Sequence, residues 1–193
     1  MYDFNYHKPD SIDEAIQLFL GAEDGIYLAG GHTLLPSMKQ RLAAPTDVID
    51  LAGIDGLSGI EDVGADIEIG ALTAHDEVAT SSVVQSGIPA LAELASLIGD
   101  AQVRNRGTIG GSVSNSDPAA DYPAGVLGLG AEIVTNKRTI AADDFFTAMF
   151  ETALEEGELL TKIKFPKPEA AAYVKFPNPA SRYATVGVFI ART

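Results

Sequence analysis

The chain contains no cysteine. Disulfides, thiolate nucleophiles and cysteine-ligated iron–sulfur clusters are thereby excluded from its own chemistry, and any redox role must rest on a bound organic cofactor. Basic residues are also scarce: 13 Lys and Arg stand against 27 Asp and Glu, for a formal net charge of −14. No Lys/Arg run offsets that charge locally, which opposes binding to nucleic acid or to an anionic membrane surface. The three histidines, His7, His32 and His75, show no close paired spacing of the HxxxH kind, so no metal site is expected. No apolar run approaches the roughly 18 residues of a membrane helix. Met1 is followed by Tyr2-Asp3-Phe4-Asn5-Tyr6 rather than by a basic and then an apolar segment, so no secretory signal is read. The expectation is a soluble, cytoplasmic protein that partners could hold at the inner face of a membrane.

What the chain does have is 193 residues, 46% of them hydrophobic, enough for one ordinary domain or two small lobes. Ser11-Ile12-Asp13-Glu14 starts a helix with Ile12, Ala15, Ile16 and Phe19 at helical spacing, stopped by Gly21. Residues 26–29 read as a short buried strand, 34–42 as a helix with Pro36 in its first turn, and 46–51 as a second strand. Segments 54–60 and 66–71 read as strands joined by an acidic turn at Glu61-Asp62. Helices are expected over 76–81 and 88–97 and again from Asp117 to Leu129. Strands 132–135 and 138–140 flank a tight Asn136-Lys137 turn. A helical segment starts at Asp143, and strands follow at 158–165, 171–176 and 185–191.

Two glycine pairs stand out. Ala29-Gly30-Gly31-His32-Thr33 follows a strand and precedes a helix, and Thr108-Ile109-Gly110-Gly111-Ser112 repeats the pairing further on. Glycine allows close backbone approach and positive φ, so successive N–H groups can converge on phosphate oxygens, aided by a helix dipole. The structural alternative is an ordinary strand-to-helix turn. Neither GxGxxG nor GxxxxGK[ST] is present, so a Rossmann dinucleotide site or a P-loop is not indicated. Arg104 and Arg106 precede the second pair, as ligands to an anion or as surface ion pairs. Asp121 is a ribose acceptor or a helix cap; Lys175, in an apolar strand, is expected to extend to solvent. His75 reads as a structural hydrogen-bonding residue, and Ser112, Ser114 and Ser116 lack the His and carboxylate of a hydrolase.

The segments AGGHTLLPSMKQR and RNRGTIGGSVSNSDPAADYPA, with IGALTAHDEVATS, LGLGAEIVT and the terminal SRYATVGVFIART, resemble the FAD-binding medium subunits of molybdenum hydroxylases. This is the xanthine dehydrogenase family, and the likeness is strongest to its carbon monoxide dehydrogenase branch. The resemblance covers essentially the whole chain. It implies an α+β fold of the vanillyl-alcohol-oxidase type: a small N-terminal α/β lobe over residues 1–53, then a larger lobe of helices and antiparallel sheet over 54–193. The C-terminal domain that family members normally add is expected to be missing. By position, Ala29, Gly30, Gly31, His32 and Thr33 with Thr108, Ile109, Gly110, Gly111 and Ser112 would cradle the FAD diphosphate. Asp121 and Ile98 would lie near the ADP portion and Leu160 and Lys175 nearer the flavin, with Tyr183 a further candidate to cover the ring. Ser112 stands where the family commonly has Asn. The resemblance implies an oxidoreductase subunit with a [2Fe-2S] small subunit and a molybdenum-cofactor large subunit as partners. Electrons would pass from the former through FAD to an external acceptor. The alternatives are a truncated docking module without FAD and a stand-alone flavin oxidoreductase.

Overall fold

The computed structural model describes residues 1–192. Strand β1 (Asn5–His7) leads into helix α1 (Ile12–Gly21), whose N-cap Ser11 accepts the Glu14 N–H through its hydroxyl. Strand β2 (Gly25–Leu28), helix α2 (Leu34–Lys39) and strand β3 (Asp47–Asp50) complete a three-stranded parallel sheet in the order β1-β3-β2. Ile49 of the central strand packs with Ala15 of α1 and with Leu51, Ile54, Leu57 and Leu159 in a small core. Phe19 of α1 stacks on Tyr27 of β2 with ring centroids 4.7 Å apart.

A 3₁₀ turn (Leu51–Gly53) leads to strands β4 (Ile60–Asp62) and β5 (Asp66–Gly70). The strand expected over 54–60 does not form. That segment turns through Gly56 and Gly59, both at positive φ, and drops Ile54 and Leu57 into the small core, so Glu61 and Asp62 belong to β4 itself. Six helices follow: α3 (His75–Thr80), α4 (Ser82–Gly87), α5 (Pro89–Ser96), α6 (Ala101–Arg104), α7 (Ile109–Asn115) and α8 (Tyr122–Gly128). The chain then returns through β6 (Glu132–Thr135), β7 (Thr139–Ala141), α9 (Ala142–Phe145), the short hairpin β8 (Phe146–Ala148) and β9 (Glu151–Thr152), and β10 (Leu160–Pro166).

The second sheet is antiparallel, with order β4-β5-β10-β6-β7. Its strands alternate. Ile67, Ile69, Ile133, Ile163 and Phe165 point into the main core, which they share with apolar residues of the helices, α4 and α7 packing directly on the sheet, while Lys162–Glu68 and Lys164–Glu132 pairs line the opposite face. Strands β11 (Ala170–Pro177) and β12 (Ala184–Arg192) form a separate hairpin. Its inner face lays Tyr173 and Phe189 against α5 and α8. On its outer face the cross-strand pairs Ala172–Ile190, Val174–Val188 and Phe176–Val186 are all exposed; Val174 retains 71% of its accessible surface. The mixed α+β class expected from the sequence is the class observed, and no helix among the described residues is long and apolar enough to cross a membrane.

Candidate functional site

The first glycine pair leaves the end of β2. Gly31 takes φ +77°, a conformation that a side chain resists, and its carbonyl accepts the Leu35 N–H at 3.0 Å to open the turn into α2. The N–H groups of Gly31, His32, Thr33 and Leu34 meet no acceptor among the described residues, so a row of backbone donors is open. Thr33 makes no capping bond with its hydroxyl. Gly30 has a different reason to lack a side chain: a Cβ there would lie 2.0 Å from the Arg106 carbonyl oxygen and 2.9 Å from the Gly107 Cα. The two motifs are in backbone contact.

The second pair is not a loop. Gly110 and Gly111 lie in the first turn of α7, with Thr108 as N-cap accepting the Gly111 N–H at 3.2 Å. The donors expected to be free are already used. Ile109 N–H binds the Thr73 carbonyl at 3.0 Å, Gly110 N–H the Ala71 carbonyl at 2.9 Å, and Ser112 N–H the Thr108 carbonyl at 3.0 Å. These bonds dock α7 against the end of β5, where a Cβ on Gly110 would come within 2.6 Å of the Ala71 Cβ. The second motif therefore offers hydroxyls and a close-packed wall instead of a second set of amides.

Between the motifs runs a cavity of about 650 Å³, within the range of small-molecule and cofactor sites. Ala29, Gly30, Gly31, His32 and Thr33 line it, as do Thr108, Gly110, Gly111 and Ser112. Ile98, Asp121, Leu160 and Tyr183 also face it. Two residues assigned to the site by sequence do not. Ile109 is fully buried in the main core. The side chain of Lys175 retains only 3% exposure and, instead of reaching solvent, donates to Asp121 Oδ2 at 2.9 Å and to the Leu97 carbonyl at 3.0 Å. Asp121 accepts the Tyr173 hydroxyl on its other oxygen, at 2.5 Å, and makes no capping bond to α8. Burial, and then this bond, push the Tyr173 hydroxyl well above its ordinary range.

Arg104 is neither a free ligand nor a plain surface ion pair. Its guanidinium reaches Asp76 at 3.7 Å and donates to the Ile98 carbonyl at 3.2 Å. Glu158, at the cavity edge, has a fully buried carboxylate. Burial alone would raise its pKa. Hydrogen bonds from Arg138, the Glu155 N–H and Thr135 outweigh that and hold it at about 2.

His75 departs from the role expected for it, since neither ring nitrogen makes a hydrogen bond to a described residue, and Nδ1 is sealed from solvent. Burial, with His32 and Arg104 nearby, lowers its pKa to about 4. The apolar part of the lining, which includes Phe19, Ile26, Tyr27 and Leu28 with Leu154 and Leu159, was not singled out in the sequence. The only local signal was the adjacency of Tyr27-Leu28 to the first glycine pair.

Residues 2–168 match the family described as the FAD binding domain in molybdopterin dehydrogenase. The chain is 42% identical to the carbon monoxide dehydrogenase medium chain of Hydrogenophaga pseudoflava, an alignment covering 95% of this chain and 67% of that protein. It is 34% identical to the glyceraldehyde dehydrogenase medium chain of Sulfolobus acidocaldarius, covering 98% and 69%. Among solved structures, the Hydrogenophaga pseudoflava carbon monoxide dehydrogenase lacking the Mo-pyranopterin moiety superimposes with a TM-score of 0.91, covering 95% of this chain and 67% of that one at 42% identity. Quinoline 2-oxidoreductase from Pseudomonas putida 86 gives the same TM-score at 30% identity, covering 96% and 67%.

Proposed function

Because the chain belongs to the family of FAD-binding domains of molybdopterin dehydrogenases, we propose that it is the FAD-carrying electron-transfer subunit of a molybdenum hydroxylase. The observation that carries this reading is the backbone contact of Gly30 with Arg106 and Gly107. It places the open amides of residues 31–34 and the hydroxyls of Thr108 and Ser112 around one cavity. A long ligand with an anionic centre fits that arrangement: the open amides and the hydroxyls share one cavity with the aromatic and aliphatic side chains of Phe19, Tyr27, Leu28 and Leu159 and with Tyr183.

When bound, FAD supplies the electron-carrying ring, and the protein supplies binding, orientation and electrostatics. Gly31, His32 and Thr33 would donate to the diphosphate, with Thr108 and Ser112 opposite them. Ile98 and Leu160 would give the cofactor apolar contacts, and Tyr183 would cover the ring. Asp121, already bonded to Tyr173 and Lys175, would act through its remaining acceptor capacity, and Lys175 would position Asp121 rather than touch the cofactor. The division at residues 53 and 54 would separate the two lobes that clasp the ligand.

The relatives are medium chains of dehydrogenases, which supports a place between a [2Fe-2S] subunit and a molybdenum-cofactor subunit, with electrons leaving to an external acceptor. A cytoplasmic location goes with this role. Adding FAD to the purified chain should give bound-flavin absorption and stabilise the fold by about 2.7 kcal/mol at a hundredfold excess over Kd. The absence of both flavin absorption and a melting shift would reject autonomous FAD binding.

A further inference from the structure

His75 begins α3 immediately behind the second motif, tied by its own N–H to the Gly107 carbonyl at 2.9 Å. It is 5% exposed and forms part of the cavity wall. A Cβ on Gly107 would approach Nε2 to 2.6 Å, so the glycine there leaves the imidazole room beside the motif. The ring packs at 5.3 Å from that of Tyr122.

A neutral imidazole carries one N–H. Burial disfavours the charged ring, as do the two neighbouring cationic or titratable groups, His32 and Arg104, so the neutral form prevails at pH 7. Placing the proton on Nδ1 would bury a donor with no acceptor, at a cost of the order of 1–3 kcal/mol, whereas a bare nitrogen is the more tolerable orphan. The proton therefore belongs on Nε2, the nitrogen beside Gly107 that is not sealed. On this side of the cavity the α7 amides are already used, so side chains must supply the donors. Tyr122 is a useful contrast. Its hydroxyl is also sealed and unpartnered, but it does not line the cavity.

We propose that His75 is a cofactor-binding residue, donating a hydrogen bond from Nε2–H to an acceptor oxygen of the diphosphate where the two glycine motifs meet. The assignment rests on the FAD reading above. Its test combines nitrogen-15 NMR of the FAD-free protein with FAD affinities of two variants. Nε2 should carry the proton at pH 7, and its resonance should move on adding ADP but not on adding adenosine.

His75→Phe should weaken FAD binding about tenfold, with no fall in the melting temperature of the FAD-free protein. His75→Gln, which keeps an N–H donor, should recover part of the loss. A proton on Nδ1, an unchanged FAD affinity in His75→Phe, or an affinity loss matched by destabilisation of the FAD-free protein would each overturn the contact. In the first and second cases FAD binding by the wild type survives. A wild type that takes up no FAD removes the cofactor reading and this contact together.

Discussion

At the scale of single residues, the buried ionisable groups make the protein acid-sensitive in two steps. His75 holds a pKa of about 4 in the fold against an ordinary 6.5. Between those values the unfolded chain binds a proton that the folded one refuses, so stability is full above pH 6.5 and falls towards pH 4. The loss should reach ~2 kcal/mol by pH 5, and denaturant titrations of His75→Phe should lack that segment of the profile. Glu158, depressed from 4.5 to about 2, adds stability that is present above pH 4.5 and lost below it. Removing the Lys175 cation by Lys175→Met should cost about 3–5 kcal/mol, because it strands a buried Asp121 carboxylate. Urea unfolding measures it. The double variant Asp121→Asn with Lys175→Met should recover much of the loss. Tyr122→Phe should be neutral or stabilising, since it deletes a buried hydroxyl that bonds nothing. None of these partnerships was readable in advance: Lys175 sits in an apolar stretch, and its partner Asp121 is far away in sequence, joined only when the hairpin packs on α8.

At the scale of elements, the glycines that looked alike in sequence do different work. Gly31 gives a turn of positive φ with open amides, Gly30 gives an approach to another backbone, and Gly110 gives helix-to-strand packing. Gly30→Ala should therefore abolish or severely weaken FAD binding, because the obstacle is the Arg106 backbone, which cannot swing aside. Gly111→Ala should be milder, since its Cβ would meet the Thr108 hydroxyl at 2.8 Å and alanine favours the helix by about 1 kcal/mol. Flavin fluorescence quenching and thermal melts of the two variants rank them. The strand–turn–helix around the first motif was legible because its apolar run, glycines and proline mark the boundaries locally. The helical state of the second motif was not, since Gly110 and Gly111 oppose helix formation by propensity and are held there by the Thr108 cap and the carbonyls of Ala71 and Thr73. For the same reason residues 54–60 deceived: their alternation served a core contact through a glycine turn, not a sheet.

At the scale of the whole molecule, strands β5, β6, β7 and β10 of the second sheet were legible from local patterning and the α+β class was implied by the family resemblance, whereas the cavity was not legible, because its walls come from segments brought together only by the fold. The hairpin β11–β12 gives the molecule an uneven surface. The chain as a whole carries a formal net charge of −14, while one hairpin face presents valine, phenylalanine and isoleucine to water. In solution such a particle repels its copies by charge at low ionic strength and sticks once that repulsion is screened. The second virial coefficient from light scattering should thus pass from positive to negative as salt is raised. The double variant Val174→Glu with Val188→Lys should keep it positive, with the inner-face contacts to Asp121 intact. The isolated chain should behave as an oil-tipped polyanion, retained by phenyl resin in proportion to salt, and its handling at the bench is governed by about six side chains of a single hairpin.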